Sequence, residues 1–273
     1  MEIIMSSFPR RICVFLICSV VLTTSARAVI LDWNSVAWSP GSISNSFDVD
    51  PSNPGNDITV TFSGDTGRFA TDPTTGIQTP AIDSTMEGGT SPVQKSLDLS
   101  MGLTTNKVIT ITISFSPQYL QGVNNVSFSI FGINKGVAID TITNILALGT
   151  DGTTQIAPTI TNVGPAVQLS GTGLGQTLTG IGDSPHGGPG SGDGNATISF
   201  GNTPIQSITF SFQDGTTGFA NSQIAISNLT FSPVPEINPA AVSAVSCLLA
   251  VGLTVLVNRR AKGTAKTSKP ENS

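Results

Sequence analysis

Between Val29 and Ser232 apolar and polar residues alternate with a period of two, and no helical period is sustained. Ile58, Val60 and Phe62 fall on one face of a predicted strand, with Thr59 and Thr61 on the other. Ile109, Ile111, Ile113 and Phe115 alternate with Thr110, Thr112 and Ser114 in the cleanest such run. Val126, Phe128 and Ile130 repeat the pattern, as do Ile208, Phe210 and Phe212. In the last strand Ile224 and Ile226 share one parity while Leu229 and Phe231 take the other. A slip at Ser227 and Asn228 accounts for this as a bulge that keeps all four side chains on the core face.

Strands of this length, punctuated by Gly, Pro, Asn and Asp, predict an all-β fold, an antiparallel β-sandwich or jelly roll. No fixed-period repeat is present, which argues against a solenoid. Two stretches break the alternation. Residues 64–92 carry three prolines and five glycines and read as a long exposed excursion; residues 171–194 hold ten glycines and read as loop.

The two ends differ from this body. Arg10 and Arg11, the apolar run Ile12–Leu22 and the small residues Ala26 and Ala28 have the three parts of a signal peptide over residues 1–28, with cleavage by signal peptidase predicted before Val29. An uncleaved N-terminal anchor is the alternative, although the apolar run is short for a bilayer. At the other end residues 239–257 are 19 uncharged residues. At about 1.5 Å per residue they reach about 28 Å, close to the roughly 30 Å hydrocarbon core. Arg259, Arg260 and Lys262 follow as a basic stop over 259–262, so residues 263–273 are predicted on the cytoplasmic side and 29–232 outside that membrane.

Val234-Pro235-Glu236, an apolar helix and a basic cluster make residues 233–262 resemble the bacterial PEP-CTERM sorting signal. That resemblance implies recognition by an exosortase, a membrane-embedded Cys-dependent transpeptidase, and passage to the surface or an exopolysaccharide matrix. Val234, Pro235 and Glu236 would be recognition residues, because the nucleophile belongs to the sorting enzyme. The family motif is Pro-Glu-Pro; here Ile237 holds the third position and the next proline is Pro239. A plain single-pass anchor is the competing reading of the same residues. The body also resembles a recurrent bacterial secreted domain, through Leu31–Trp38, Ile58–Gly67, Val108–Phe115 and Val126–Phe131, which implies a sandwich and no activity. Where that type carries Asp-Ile-Asp after the last of these strands, this chain has Gly132-Ile133-Asn134.

Composition removes several kinds of chemistry. All three cysteines, Cys13, Cys18 and Cys247, lie in the two apolar end segments, so residues 29–232 can form no disulfide or thiolate metal site. That span has four basic residues, Arg68, Lys95, Lys107 and Lys135, against fourteen acidic ones. A surface so negative repels nucleic acid. His186, alone in its span, sits in the Gly-rich stretch with nothing rigid to orient it for a triad, and zinc would need more His or Cys ligands. Glycoside hydrolysis would need a carboxylate pair, and the pattern selects none; Glu87 is the only Glu in the span. No Gly register fits a phosphate loop, and a strand pattern, Ala196–Phe200, follows it.

Two binding patterns remain. Asp48, Asp50, Asn53, Asn56 and Asp57 place five oxygen-bearing side chains within ten residues, a candidate structural calcium site; Asx turns between two strands would use the same residues. Trp33, Trp38 and Tyr119 could stack on sugar rings if two were exposed and coplanar, although Trp33 and Trp38 fall on opposite faces of a continuous strand. The chain thus reads as a non-enzymatic exported surface or matrix protein, with an exopolysaccharide-binding module as the alternative. Its expected partners are signal peptidase, an exosortase-type enzyme and the membrane, with no cofactor beyond possible calcium.

Overall fold

The computed structural model describes residues 27–103, 107–136, 138–185, 191–214 and 220–235. Among them the regular structure is β-strand, apart from two short 3-10 turns at Thr66–Arg68 and Gly173–Gly175. No helix among the described residues is long and apolar enough to cross a membrane. Residues 1–26 with Ala26, Glu236, the predicted helix 239–257, the basic stop Arg259, Arg260 and Lys262, and His186 lie outside the described residues.

Sixteen strands follow in chain order: β1 Val29–Leu31, β2 Ser44–Phe47, β3 Ile58–Gly64, β4 Ala81–Asp83, β5 Ser96–Leu103, β6 Val108–Phe115, β7 Val123–Phe131, β8 Asp140–Gly149, β9 Gln155–Ile156, β10 Thr159–Thr161, β11 Val167–Ser170, β12 Thr177–Gly180, β13 Ala196–Ser199, β14 Ile205–Asp214, β15 Ala220–Ile226 and β16 Leu229–Pro233. Every pairing is antiparallel. One layer runs β2-β3-β6-β14-β8-β12-β11, with β9 also on β8. The other is centred on β7, which carries β13 and β10 on one edge and β15 then β16 on the other; β5 and β4 extend outward from β15, and β1 from β16. A single pair, Ile205 with Val123, joins the layers, so the sheet is continuous and curls over on itself.

Alternation builds the core between these layers. Val60 pairs with Ile113, which pairs with Ile208, and Phe62 pairs with Ile111, which pairs with Phe210, so each row puts apolar groups on one face. Ala196 and Ile198 pair likewise with Ile130 and Phe128 in the facing layer. Phe128 stacks on Phe210 at 5.8 Å and Phe115 meets Phe231 at 5.2 Å, tying the layers together. The predicted slip is present as a break between β15 and β16, and Ile224, Ile226, Leu229 and Phe231 are all buried.

Both stretches expected to be loop contain strands. Within 171–194, Thr177–Gly180 is β12; it pairs with β8 and β11 and buries Leu178. Residues 64–92 are not an exposed excursion. They contain β4, bury Asp72, Thr79, Ala81, Asp83 and Met86, and fold over the face of β5 that points away from the core. Phe69 bridges to Met101, the Ala70 amide donates to the Ser100 carbonyl, and Thr79 Oγ1 both donates to that carbonyl and accepts from the Ser100 amide. Met86 then packs with Phe131 and Ala225 as a second small apolar cluster.

That close approach needs glycine at two places. Gly132 and Gly88 both have positive φ, and a Cβ at Gly132 would run into the Met86 methyl, one at Gly88 into the Phe131 ring. Gly201 also has positive φ but open space around it. Gly132→Ala is therefore expected to cost about 2–4 kcal/mol, backbone strain plus a forced shift of Met86. Gly201→Ala should cost only about 1 kcal/mol, from the backbone alone. Urea unfolding of the two variants measures the difference.

A buried carboxylate cluster as candidate functional site

Of the five predicted calcium ligands, Asp50, Asn53 and Asp57 are tied together with Tyr119 in one hydrogen-bonded turn. Asp57 is fully buried, and its oxygens accept from the amides of Val49 and Asp50, both at 2.7 Å, from Asn53 Nδ2 at 2.6 Å and from the Tyr119 hydroxyl at 2.7 Å. Asp50 accepts from the amide and hydroxyl of Ser52. Asp48 and Asn56 are exposed. The hydrogen bonds of this turn use the oxygens that an ion would need, which is the Asx-turn arrangement. The Tyr119 hydroxyl is held above its usual range, by burial first and then by its bond to Asp57.

The two tryptophans are core residues. Trp33 is 1% and Trp38 7% exposed; the rings pack edge-on and tilted against Phe47, and Trp38 also meets Phe62. β1 ends at Leu31, so no continuous strand sets their faces, and Trp33 Nε1 donates to the Ser227 carbonyl at 2.8 Å. They offer no stacking platform for a sugar. Tyr119 is half-buried, with its ring edge-on to Phe231.

The structure assembles a different cluster on the outer face of β4, β5 and β15. Asp98 pairs with Ala81 on one side and Ala225 on the other, so Asp83, Asp98 and Gln223 lie on a diagonal across three strands and share one face. Leu97, Leu99 and Met101 occupy the opposite, core face of β5. The stretch that folds over adds Asp72. Ligand oxygens of Asp72, Asp83 and Asp98 all lie within 4.8 Å of one another, and all three residues are buried. Gln223 Nε2 donates to Asp72 Oδ2 at 2.5 Å and to both Asp98 oxygens at 3.0 Å.

The outward-facing oxygens of the rim are already occupied. Asp72 Oδ1 accepts from the amides of Thr74 and Thr75, and Asp83 Oδ1 from the amide and hydroxyl of Thr85. Inside, Asp83 Oδ2, Gln223 Oε1 and Ser100 Oγ are buried without a hydrogen-bond partner. None of the three carboxylates is paired with a cation; the one ion pair among the described residues is Lys107 with Asp65.

Gln223 also lines a cavity of about 460 Å³ together with Pro73, Asn134, Asp140, Asp183 and Ser184. Asp140 is buried in its wall, accepting from the Asn134 amide at 3.0 Å and from the Ser222 hydroxyl. The cavity thus leads from the surface to the amide that contacts the carboxylates.

Sequence reasoning missed this cluster. Ser96-Leu97-Asp98-Leu99-Ser100-Met101 alternates like a half-solvated strand, which puts Asp98 on a wet face. The one available signal was Asp72-Pro73-Thr74-Thr75, an Asx-turn pattern inside the stretch read as exposed.

No family model matches the chain, and no curated protein does. Among solved structures the chain is similar to a family 11 carbohydrate-binding module from Clostridium thermocellum in complex with a beta-1,3-1,4-mixed-linked tetrasaccharide. The identity is 13%, over 78% of this chain and 100% of that one, with a TM-score of 0.29. It is likewise similar to the family 11 module of the cellulosomal cellulase Lic26A-Cel5E of the same organism, at 13% identity over 79% and 99% of the chains and a TM-score of 0.26. A solution structure of CtCBM11 matches at 14% identity over 79% and 100%, with a TM-score of 0.27. Likeness at this level carries no conclusion about what this chain binds.

Crowding of like charges sets the electrostatics. Burial, then the charge of Asp83, pushes Asp98 up to about 8, against the opposing Gln223 bond. For Asp72 burial pulls upward, but the amides of Thr75 and Thr74 and the Gln223 amide outweigh it and hold the group below its ordinary value. A carboxyl raised in the folded state from 3.8 to about 8 binds its proton more tightly there than in the unfolded chain. Its contribution is complete below pH 4 and is lost as pH rises toward 8, whereas the Asp72 contribution is lost only as pH falls below about 4. With chelator present, Tm of the full chain in mild detergent should fall by about 4 °C or more between pH 5 and pH 8. Asp98→Asn should flatten that slope; circular dichroism melts at each pH measure it.

Proposed function

We propose that this chain is an exported, non-enzymatic β-sandwich protein, processed at both ends and delivered to the cell surface or extracellular matrix by an exosortase-type enzyme. The observation that carries this reading is where the compact unit stops. It spans Ala26–Val234, which begins at the signal-peptidase motif and ends on the first residue of Val234-Pro235-Glu236. Within it the first and last strands close on each other, Val29 pairing with Phe231 and Leu31 with Leu229. Ala28 and Pro235 are exposed just outside that pair, and the Val234 amide donates to the Gly122 carbonyl at 3.0 Å. Cleavage after Ala28 and beyond Glu236 would remove none of the core side chains among the described residues, which run from Val29 to Phe231. Pro235 and Glu236 act in recognition, Arg259, Arg260 and Lys262 hold the tail while the enzyme acts, and the enzyme supplies the nucleophile.

A second reading, binding of an exopolysaccharide, has one observation in its favour. The cavity beside Gln223 is lined by carboxylate, amide and hydroxyl groups of Asn134, Asp140, Asp183 and Ser184, which suit vicinal hydroxyls. Its described lining includes no aromatic side chain for stacking.

Protein recovered from the envelope or matrix is expected to begin at Val29 and to lack everything beyond about Glu236. Intact-mass spectrometry reads both ends, and a surface-located chain still carrying Arg259 and Arg260 would contradict the sorting reading. For the second reading, a glycan array with the full chain should show binding that Asp183→Ala weakens at least about tenfold; no binding at millimolar ligand would remove it.

A further inference from the structure

We propose that Asp72, Asp83, Asp98 and Gln223 form a site for one structural calcium ion, which fastens residues 69–86 to the outer face of β5 and β15. The site is distinct from the Asp48–Asp57 turn, and it does not depend on whether the chain is sorted.

Three observations point to a cation. First, the donors converge: the three carboxylates come within 4.8 Å of one another although two of them sit on paired strands and the third arrives from a segment crossing above. Carboxylates gather this closely in a buried place only where protons, hydrogen bonds or a cation compensate them, and no Lys or Arg among the described residues is paired with them. Second, oxygens are left over. Asp83 is 8% and Gln223 5% exposed, yet Asp83 Oδ2 and Gln223 Oε1 have no partner. Asp72 and Asp83 each have Oδ1 held by backbone amides; Asp72 Oδ2 accepts from Gln223 and, at 3.3 Å, from the Thr85 hydroxyl, which leaves Asp83 Oδ2 as the carboxylate oxygen without a partner. Third, there is a route in, because Gln223 is shared between the cluster and the cavity beside it.

The donor chemistry selects the ion. Every available ligand atom is oxygen, and residues 29–232 have no cysteine, so a hard cation fits and a soft one does not. Magnesium keeps several waters and demands near-ideal octahedral geometry, whereas calcium accepts roughly six to eight oxygens in irregular arrangements. Asp83 Oδ2, both Asp98 oxygens and Asp72 Oδ2 supply most of that shell. A half-turn of the Gln223 amide replaces its Nε2 with the unpartnered Oε1, turning a donor that bridges the empty carboxylates into a fifth ligand oxygen. Water from the cavity can complete the shell.

The test uses the full chain in mild detergent, stripped with chelator, and calcium alone as the probe. Wild type is expected to retain about one calcium per chain, with a Kd near 10⁻⁴ M or tighter, and to gain about 4 °C or more in Tm at about 1 mM calcium. Asp83→Asn and Asp98→Asn should lose the ion and the Tm gain, while Asp48→Asn in the other acidic turn keeps both. Because Asp98→Asn keeps the size of the side chain and removes an acidic group from a crowded cluster, its melt in chelator at pH 8 should be no lower than wild type, which separates lost binding from lost folding. A wild-type chain whose Tm does not respond to about 10 mM calcium overturns the site, as does full calcium binding by Asp98→Asn.

Discussion

Removing three carboxylates from water side by side is the most demanding thing this fold does, and much of the surrounding structure follows from it. Asp98 belongs to a strand buried on both sides: Leu97, Leu99 and Met101 face the core, while Ser96, Asp98 and Ser100 lie under the segment that folds over. A charged group in such a place must be neutralised by a proton, hydrogen bonds or a cation. The structure supplies the first two in part, through the raised Asp98 carboxyl and the Gln223 amide. A hard cation would complete the third. The cover then needs Gly132 and Gly88 to come close enough, and Met86, Phe131 and Ala225 to seal its edge.

This arrangement explains how a domain without disulfides keeps a long Pro- and Gly-rich stretch in order. Residues 64–92 contribute few apolar side chains to the main core, and ordering a chain segment costs roughly 1–2 kcal/mol per residue in backbone entropy. Backbone pairing along β5 and the small Met86 cluster offset part of that. An ion held by groups from both the cover and the sheet would act as a cross-link, the role that a disulfide has in many exported domains. The pairing of β1 with β16 does the corresponding work for the first and last strands, joining Val29 to Phe231 and Leu31 to Leu229.

What could be read from the chain alone divides along physical lines. Period-two alternation located β3, β6, β7 and β14, because each has one face in the core and one against polar groups. It also located the break at Ser227 and Asn228, since a change of parity has no other cheap explanation. It failed at β12 and at residues 64–92, where glycine and proline density reads as loop although tertiary pairing overrides it. It failed again at Asp98: alternation says that a residue is off the core face but not whether a distant segment will cover that face. The Asp48–Asp57 run looked like a ligand set because its oxygens are close in sequence. Asp72, Asp83 and Asp98 come within 4.8 Å of one another because the fold brings together residues scattered over a longer stretch.

The central claim is that the cover over β5 is fastened by a cation at the carboxylate cluster. Hydrogen exchange of the full chain, followed peptide by peptide with and without calcium, tests this most directly. The account predicts that amides of residues 69–86 lose protection when calcium is chelated, while those of β6 and β14 in the main core do not change. Equal exchange of residues 69–86 in the two conditions would contradict it.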